Sequence, residues 1–183
     1  PKPSSAASDV YKRQSQRTRD IVGSGALRYL PDVQSVTNAV FLKQSLDFAA
    51  VSFDAGFRHE RVDHDIRSSA FKTSRNSANS KLEARSFTLN SYNLGARAEL
   101  GSHLSAKARY ASSQRAPEVN ELYASNAHYS VMTQEEGNQN LKPERARNVE
   151  FALLFNNRGF DFSATAYVMK YENYLYQGYS GLQ

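Results

Sequence analysis

The stretch Val51-Ser52-Phe53-Asp54-Ala55-Gly56-Phe57-Arg58 puts an apolar or small residue at every odd position, and a polar residue or glycine at every even one. A period of two belongs to a β-strand with unlike faces, because successive side chains leave an extended backbone on opposite sides. One face needs hydrocarbon or a core; the face with Asp54 and Arg58 needs water. Upstream, Val36, Val40, Leu42, Leu46 and Phe48 share one parity against Thr37, Lys43 and Asp47. Downstream, Leu94, Ala96, Ala98 and Leu100 stand against Asn93, Gly95, Arg97 and Glu99, and Leu104, Ala106, Ala108 and Tyr110 against Ser105, Lys107 and Arg109. Val149, Phe151, Leu153 and Phe155 form a fifth run, and Phe160, Phe162, Ala164, Ala166 and Val168 a sixth. Phe87 and Leu89 have the parity opposite to Leu94, which predicts a β-bulge near Ser91 and Tyr92.

The connections alternate in length. Asp47–Ala50, Gly101-Ser102-His103 and Asn156-Asn157-Arg158-Gly159 are tight turns, the last with residues that tolerate positive φ. Asp63–Arg85 and Ser113–Arg147 are long and polar. In an antiparallel meander this order collects the short turns at one end and the long loops at the other. The predicted fold class is therefore all-β: an antiparallel transmembrane β-barrel fragment of about six up-and-down strands, with short periplasmic turns and long extracellular loops. A soluble sandwich or lipocalin-like barrel also alternates. It gives no reason for the loop asymmetry, nor for Arg, Lys and Glu on the buried parity, where unpaired charges are costly.

Composition narrows the alternatives. The chain has 183 residues, 11 Tyr and 10 Phe, no Trp and no Cys, and a formal net charge of +5. Without cysteine there are no disulfides, and no run of apolar residues is long enough for a spanning helix. The basic residues are scattered, so a nucleic-acid partner is not expected. Pro1–Ala7 has neither the basic start nor the apolar stretch of a signal peptide. Residues 1–14, with Ser4-Ser5-Ala6-Ala7-Ser8-Asp9-Val10-Tyr11-Lys12-Arg13-Gln14, resemble translated sequencing adaptor. They are expected to be non-native, with the natural chain continuing upstream and residues 15–183 forming the partial barrel.

A family comes into view between Ala108 and Tyr176. Arg115-Ala116-Pro117 is followed by Glu121-Leu122-Tyr123, then Gly137-Asn138, then Asn140-Leu141-Lys142-Pro143-Glu144, then Asn148-Val149-Glu150. This order resembles the C-terminal part of the barrel of TonB-dependent outer-membrane receptors; Leu30-Pro31 and Asn38–Leu42 match more loosely. The resemblance implies a barrel of about twenty-two strands around a plug, in the outer membrane of a Gram-negative bacterium. It further implies ligand-gated uptake of a metal chelate, metal ion or vitamin-like nutrient. Expected partners are outer-membrane lipid, the plug domain and remaining strands of the parent chain, the small-molecule or metal ligand, and the inner-membrane TonB energy-coupling complex reached through the N-terminal part. Plug and final strands are expected to lie outside this chain.

Physical reasons stand beside the resemblance. Pro117 suits the end of a ladder, Gly137-Asn138 supplies a turn, and Pro143 extends Lys142 for re-entry to the sheet. Arg115, Glu121, Glu144 and Glu150 form a candidate lumen-side charge cluster, either fixing loop geometry or touching ligand or plug. His128, with Glu135 and Glu136, is a candidate metal-recruiting set, since imidazole and carboxylate are suitable ligands; the resemblance points to a zinc-uptake branch, and a plain solvated loop is the alternative. His59 and His64 diverge on an extended strand and are expected to be polar residues at a strand end. Tyr167, Tyr171, Tyr174, Tyr176 and Tyr179 are expected to form an interfacial girdle, with an aromatic binding platform as the rival. No cofactor is implied. No Gly-x-Ser-x-Gly elbow, phosphate loop or cysteine nucleophile is present, so no enzyme is expected. A passive porin-like channel and an outer-membrane adhesin or hydrolase barrel remain as alternatives.

Overall fold

The computed structural model describes residues 7–22, 29–67, 82–125, 127–128 and 133–178. The elements are β1 (Ala7–Ile21), β2 (Val33–Phe48), β3 (Val51–Ile66), β4 (Arg85–Glu99), β5 (Leu104–Arg115), α1 (Val119–Tyr123), β6 (Ala127–His128), β7 (Thr133–Gln134), β8 (Glu144–Asn157) and β9 (Phe160–Glu172). Seven strands form one antiparallel sheet in the order β1-β2-β3-β4-β5-β8-β9, open at both edges, and β6 and β7 make a separate small hairpin. The tight turns β2–β3, β4–β5 and β8–β9 share one end, as the connection lengths predict. At the β8–β9 turn Gly159 has φ +87°, a conformation that side chains with a Cβ resist.

The sheet holds one strand more than periodicity predicts. Tyr11-Lys12-Arg13-Gln14-Ser15-Gln16-Arg17-Thr18-Arg19-Asp20 carries no apolar alternation, so β1 is defined by its unbroken pairing with β2, Ala7↔Asp47 through Ile21↔Val33. Backbone pairing is indifferent to side chains. Pattern reading therefore passed over this strand, and residues 7–14 lie within it.

The register sorts side chains by face. Leu42, Leu46, Phe53, Phe57, Leu94, Phe151, Leu153 and Phe162 share the outward face, where Phe53 and Phe57 remain 46% exposed. Asp54, Arg58, Glu60, Arg97, Lys107, Arg109 and Glu150 share the inward one. Large apolar groups facing outward and charges facing inward are the inverse of a water-soluble sheet. This is the arrangement of a barrel wall in lipid around a wet lumen.

Toward the long-loop end the faces exchange character. Outward positions become His59, Arg61 and Asp63 on β3, with Asn90, Thr88 and Ser86 on β4, while the inward positions become Val62, Phe87 and Leu89. The bulge expected near Ser91 is absent from the β3–β4 ladder, which runs without interruption from Val51↔Ala98 to His64↔Arg85. Phe87 and Leu89 keep the inward parity, and what changes is the medium on each side. The disturbance at Ser91 is instead the end of β4–β5 pairing at Tyr92↔Ser112. Beyond it, the Asn90 amide donates to Gln114 Oε1 (2.7 Å) and the Gln114 amide to Ser91 Oγ (3.1 Å), so side chains replace the ladder as the strands part.

Val33, Val62, Phe87 and Leu89 meet Val119, Leu122 and Tyr123 of α1 in one buried cluster, flanked by Ile21, Leu30, Ile66 and Leu141. Full burial of each such side chain contributes about 1.5–3 kcal/mol. The core therefore lies at the loop end, on the inner side of the sheet.

Candidate functional site

The loop end is organised by α1. After Pro117, the helix starts at a capping arrangement in which the Glu118 amide donates to Glu121 Oε2 (2.7 Å). Arg115, at the inward end of β5, forms a two-pronged pair with Glu121 (3.0 and 3.1 Å) and lies 3.5 Å from Glu144 Oε2. One guanidinium thus ties a strand end, a helix and the start of β8. Glu150 stands apart, opposite Arg109 in the register.

Gly137 sits against this helix. A Cβ there would lie 2.6 Å from the Leu122 carbonyl carbon and 2.6 Å from the Tyr123 nitrogen. The absent side chain allows the Gly137 amide to donate to the Ala124 carbonyl (2.7 Å) and the Asn138 amide to the Glu121 carbonyl (2.8 Å). The residue serves close backbone approach rather than a left-handed turn. Asn138 Oδ1 receives the Asn140 amide (2.9 Å). Leu141 packs on the core, and its carbonyl accepts from Arg85 Nη2 (3.3 Å). The Pro143 carbonyl accepts from Asn173 Nδ2 (3.2 Å). Asn148 Oδ1 is buried with no partner among the described residues. Leu122 and Pro117 are almost fully enclosed. The Tyr123 hydroxyl donates to the Glu83 carbonyl (2.7 Å), and burial pushes its pKa up to about 12.

The two histidines of β3 diverge, as extended geometry requires. His59 faces outward, its Nδ1 2.8 Å from Asn90 Oδ1. His64 is not a solvated strand end. It is 3% exposed beneath Pro117, where its Nε2–H donates to the Pro117 carbonyl (3.2 Å), and its Nδ1 is buried without a partner among the described residues. The parity exchange on β4 was the available sign of this inner core; single-residue polarity at position 64 pointed the other way.

Of the metal candidates, His128 lies in β6 opposite Thr133, its side chain outside the described set. Glu135 receives hydrogen bonds from the Tyr29 hydroxyl and from Gln177 Nε2 (3.2 Å), which joins three loops. Glu136 is exposed. Among the described residues no cluster of His, Cys, Asp and Glu could hold a metal ion.

The tyrosines depart from the expected girdle. Tyr167 and Tyr171 stand opposite Glu150 and Ala146, on the inward face, with Met169 between them opposite Asn148. The Tyr171 hydroxyl lies 2.8 Å from Met169 Sδ. After β9, Asn173 (φ +53°) turns the chain across the loop end. There Tyr174 meets Tyr171 edge-on at 5.2 Å, and Tyr176 stacks on Tyr174 at 6.3 Å. Tyr179 lies outside the described residues. The position of an interfacial pair is filled by Tyr92 and Tyr110, outward-facing with ring centroids 5.9 Å apart. Parity was the available sign, because Tyr167 and Tyr171 alternate with the apolar row Phe162, Ala164, Ala166 and Val168. The result is an exposed aromatic and thioether wall on the luminal side, beside the Arg115 rim.

Residues 4–183 match a family model described as TonB dependent receptor-like, beta-barrel. The chain is 31% identical over 101 residues to a probable hemoglobin and hemoglobin-haptoglobin-binding protein 4 of Haemophilus influenzae, covering 54% of this chain and 10% of that protein. The fold matches the hemophore receptor HasR of Serratia marcescens, solved with its hemophore HasA and heme, at TM-score 0.63 and 16% identity. That match covers 92% of this chain and 34% of the other. It matches the copper transporter OprC at TM-score 0.59 and 19% identity, over 75% of this chain and 21% of that one. The chain thus spans between a tenth and a third of the length of these relatives.

Proposed function

The chain belongs to the TonB-dependent receptor β-barrel family, and from that premise we propose that it is a wall segment of a receptor that takes up a metal chelate with a broad apolar face. The barrel lies in the outer membrane of a Gram-negative bacterium. The long loops then lie outside the cell, and the tight turns in the periplasm. The observation that carries the ligand class is the inward Tyr167–Met169–Tyr171 row, continued by Tyr174 and Tyr176. Aromatic rings and a polarisable thioether bind flat apolar surfaces. Two of the relatives are named for hemoglobin binding or were solved with heme, which agrees with an iron porphyrin or a ligand of that shape.

Energy coupling and gating belong to the plug and to the inner-membrane complex of the complete receptor. The test is a titration of that receptor, with iron protoporphyrin and iron citrate as contrasting chelates. Tyr167→Ala with Tyr171→Ala is expected to weaken porphyrin binding about tenfold or more, as two stacking contacts are lost. Unchanged porphyrin affinity in the double variant overturns the ligand class. Uptake that persists without the inner-membrane complex would favour the passive channel instead. Metal recruitment by His128, Glu135 and Glu136 is part of the same proposal; a His128→Ala receptor that keeps full zinc and porphyrin affinity removes it.

The adaptor-like reading of residues 1–14 also belongs here. It is supported by Lys12 standing outward in the lipid-facing row of Leu42 and Phe57. Resequencing of the gene is expected to put an apolar residue at position 12. The same codon in the resequenced gene would refute a foreign origin.

A further inference from the structure

The lipid-facing side of the sheet changes abruptly above the Tyr92–Tyr110 pair. Arg147 stands outward between Ser112 and Lys170 in the register, and Arg145 between Gln114 and Glu172. Arg147 and Lys170 are thus like charges directly opposite one another on neighbouring strands, a destabilising arrangement unless an anion joins them. Glu172 supplies one carboxylate, 2.9 Å from Arg147 Nη1 and 4.0 Å from Arg145 Nη1. Among the described residues Lys170 has no ion pair, and the patch keeps a positive excess.

Directly below this patch the outward face is greasy. Val149 pairs with Val168 and Phe151 with Ala166. An outward apolar hollow of about 690 Å³ crosses the sheet from Leu46 and Phe53 through Leu94, Ala108 and Tyr110 to Phe151, and its β8 end lies beneath the patch. Basic groups above and an apolar channel beneath match an amphiphile whose negative end lies at headgroup level. A soluble anion would use the upper half alone, and an acidic protein would leave the hollow empty.

Resting on the outer-membrane reading above, we propose that Arg145, Arg147 and Lys170 bind the phosphate of an outer-leaflet lipid, whose acyl chain lies in the hollow below Tyr110. Charge-assisted hydrogen bonds from two guanidinium groups suit a phosphate. The Tyr92 and Tyr110 rings mark the depth at which headgroup gives way to hydrocarbon. Binding here is a property of the outer wall and is separate from the luminal ligand.

The complete receptor carrying this segment is placed in phosphatidylcholine nanodiscs with and without phosphatidic acid, and retained lipid is read by native mass spectrometry. Phosphatidic acid is expected to be retained in preference to phosphatidylcholine. Arg147→Gln with Lys170→Gln is expected to weaken that preference about thirtyfold. Arg61→Gln, which removes an outward charge on β3, is expected to leave it intact. Equal retention of both lipids, or full retention by the double variant, overturns the site. Inorganic phosphate that displaces phosphatidic acid at equal concentration overturns the acyl half of the proposal. Porphyrin binding is measured on the same samples. Lost lipid preference with porphyrin binding intact condemns the patch alone, whereas intact preference without any chelate binding condemns the uptake reading alone.

Discussion

A hydrogen atom in place of a methyl group at position 137 decides whether the loop can lie on α1. With backbone atoms 2.6 Å from the missing Cβ, Gly137→Ala is expected to destabilise the loop end by about 1–3 kcal/mol. A lower denaturation midpoint in the complete receptor checks this; an unchanged midpoint would mean the backbones separate freely. Tyr123 gives a signal in pH. An unperturbed tyrosine ionises near 10, and burial raises Tyr123 to about 12. The folded state therefore holds this proton more tightly than the unfolded chain does. The contribution of Tyr123 is complete below about pH 10 and is lost as pH climbs toward 12. Tyr123→Phe is expected to remove that alkaline step from the near-ultraviolet circular dichroism, at a cost of about 1 kcal/mol for the bond to the Glu83 carbonyl. An identical alkaline transition in the variant would assign the step to another group. At this scale the sequence announced Pro117 and Glu121 by residue type and the turn at Gly137-Asn138, which the Leu141 amide closes on the Asn138 carbonyl (3.3 Å), but not the contact of Gly137 with α1. Close approach between distant backbones leaves no local pattern.

Strands obey their faces. Leu94 faces outward in β4, and Arg109 inward in β5, on either side of the same ladder. Leu94→Arg is expected to destabilise the barrel in lipid by about 2–4 kcal/mol, the cost of a charge near the middle of the bilayer. Arg109→Leu is expected to change stability far less. Folding titrations into vesicles separate the two, and equal effects would reverse the assignment of faces. Alternation made β2, β3, β5, β8, β9 and the lower half of β4 legible, because each has lipid on one side and water on the other. It failed for the upper half of β4, where Phe87 and Leu89 meet a helix from the β5–β8 loop, a partner the strand itself does not encode. It failed for β1, whose unbroken ladder with β2 needs no apolar alternation. The luminal setting of Tyr167 and Tyr171 was legible in parity, opposite to that of Phe162 and Val168, and it was the density of tyrosines near a strand end that pointed to a girdle instead.

The whole sheet ends in two unpaired edges, β1 and β9. In hydrocarbon each unpaired donor or acceptor is costly, so membrane strands close into barrels. The isolated 183-residue chain is accordingly expected not to insert stably into vesicles, whereas the complete receptor does. Protease-protected strands from the isolated chain would contradict this. The exchange of faces above Tyr92 has one more consequence. Below it, cohesion comes from oil outside the wall; above it, from the ordinary hydrophobic effect in water, with Phe87, Leu89 and Leu122 folded inward like the heart of a small soluble domain. Urea weakens the second kind of cohesion while the bilayer shelters the first. The receptor is therefore a soluble collar grown from a membrane staple, and a urea series should loosen the collar while the staple still holds.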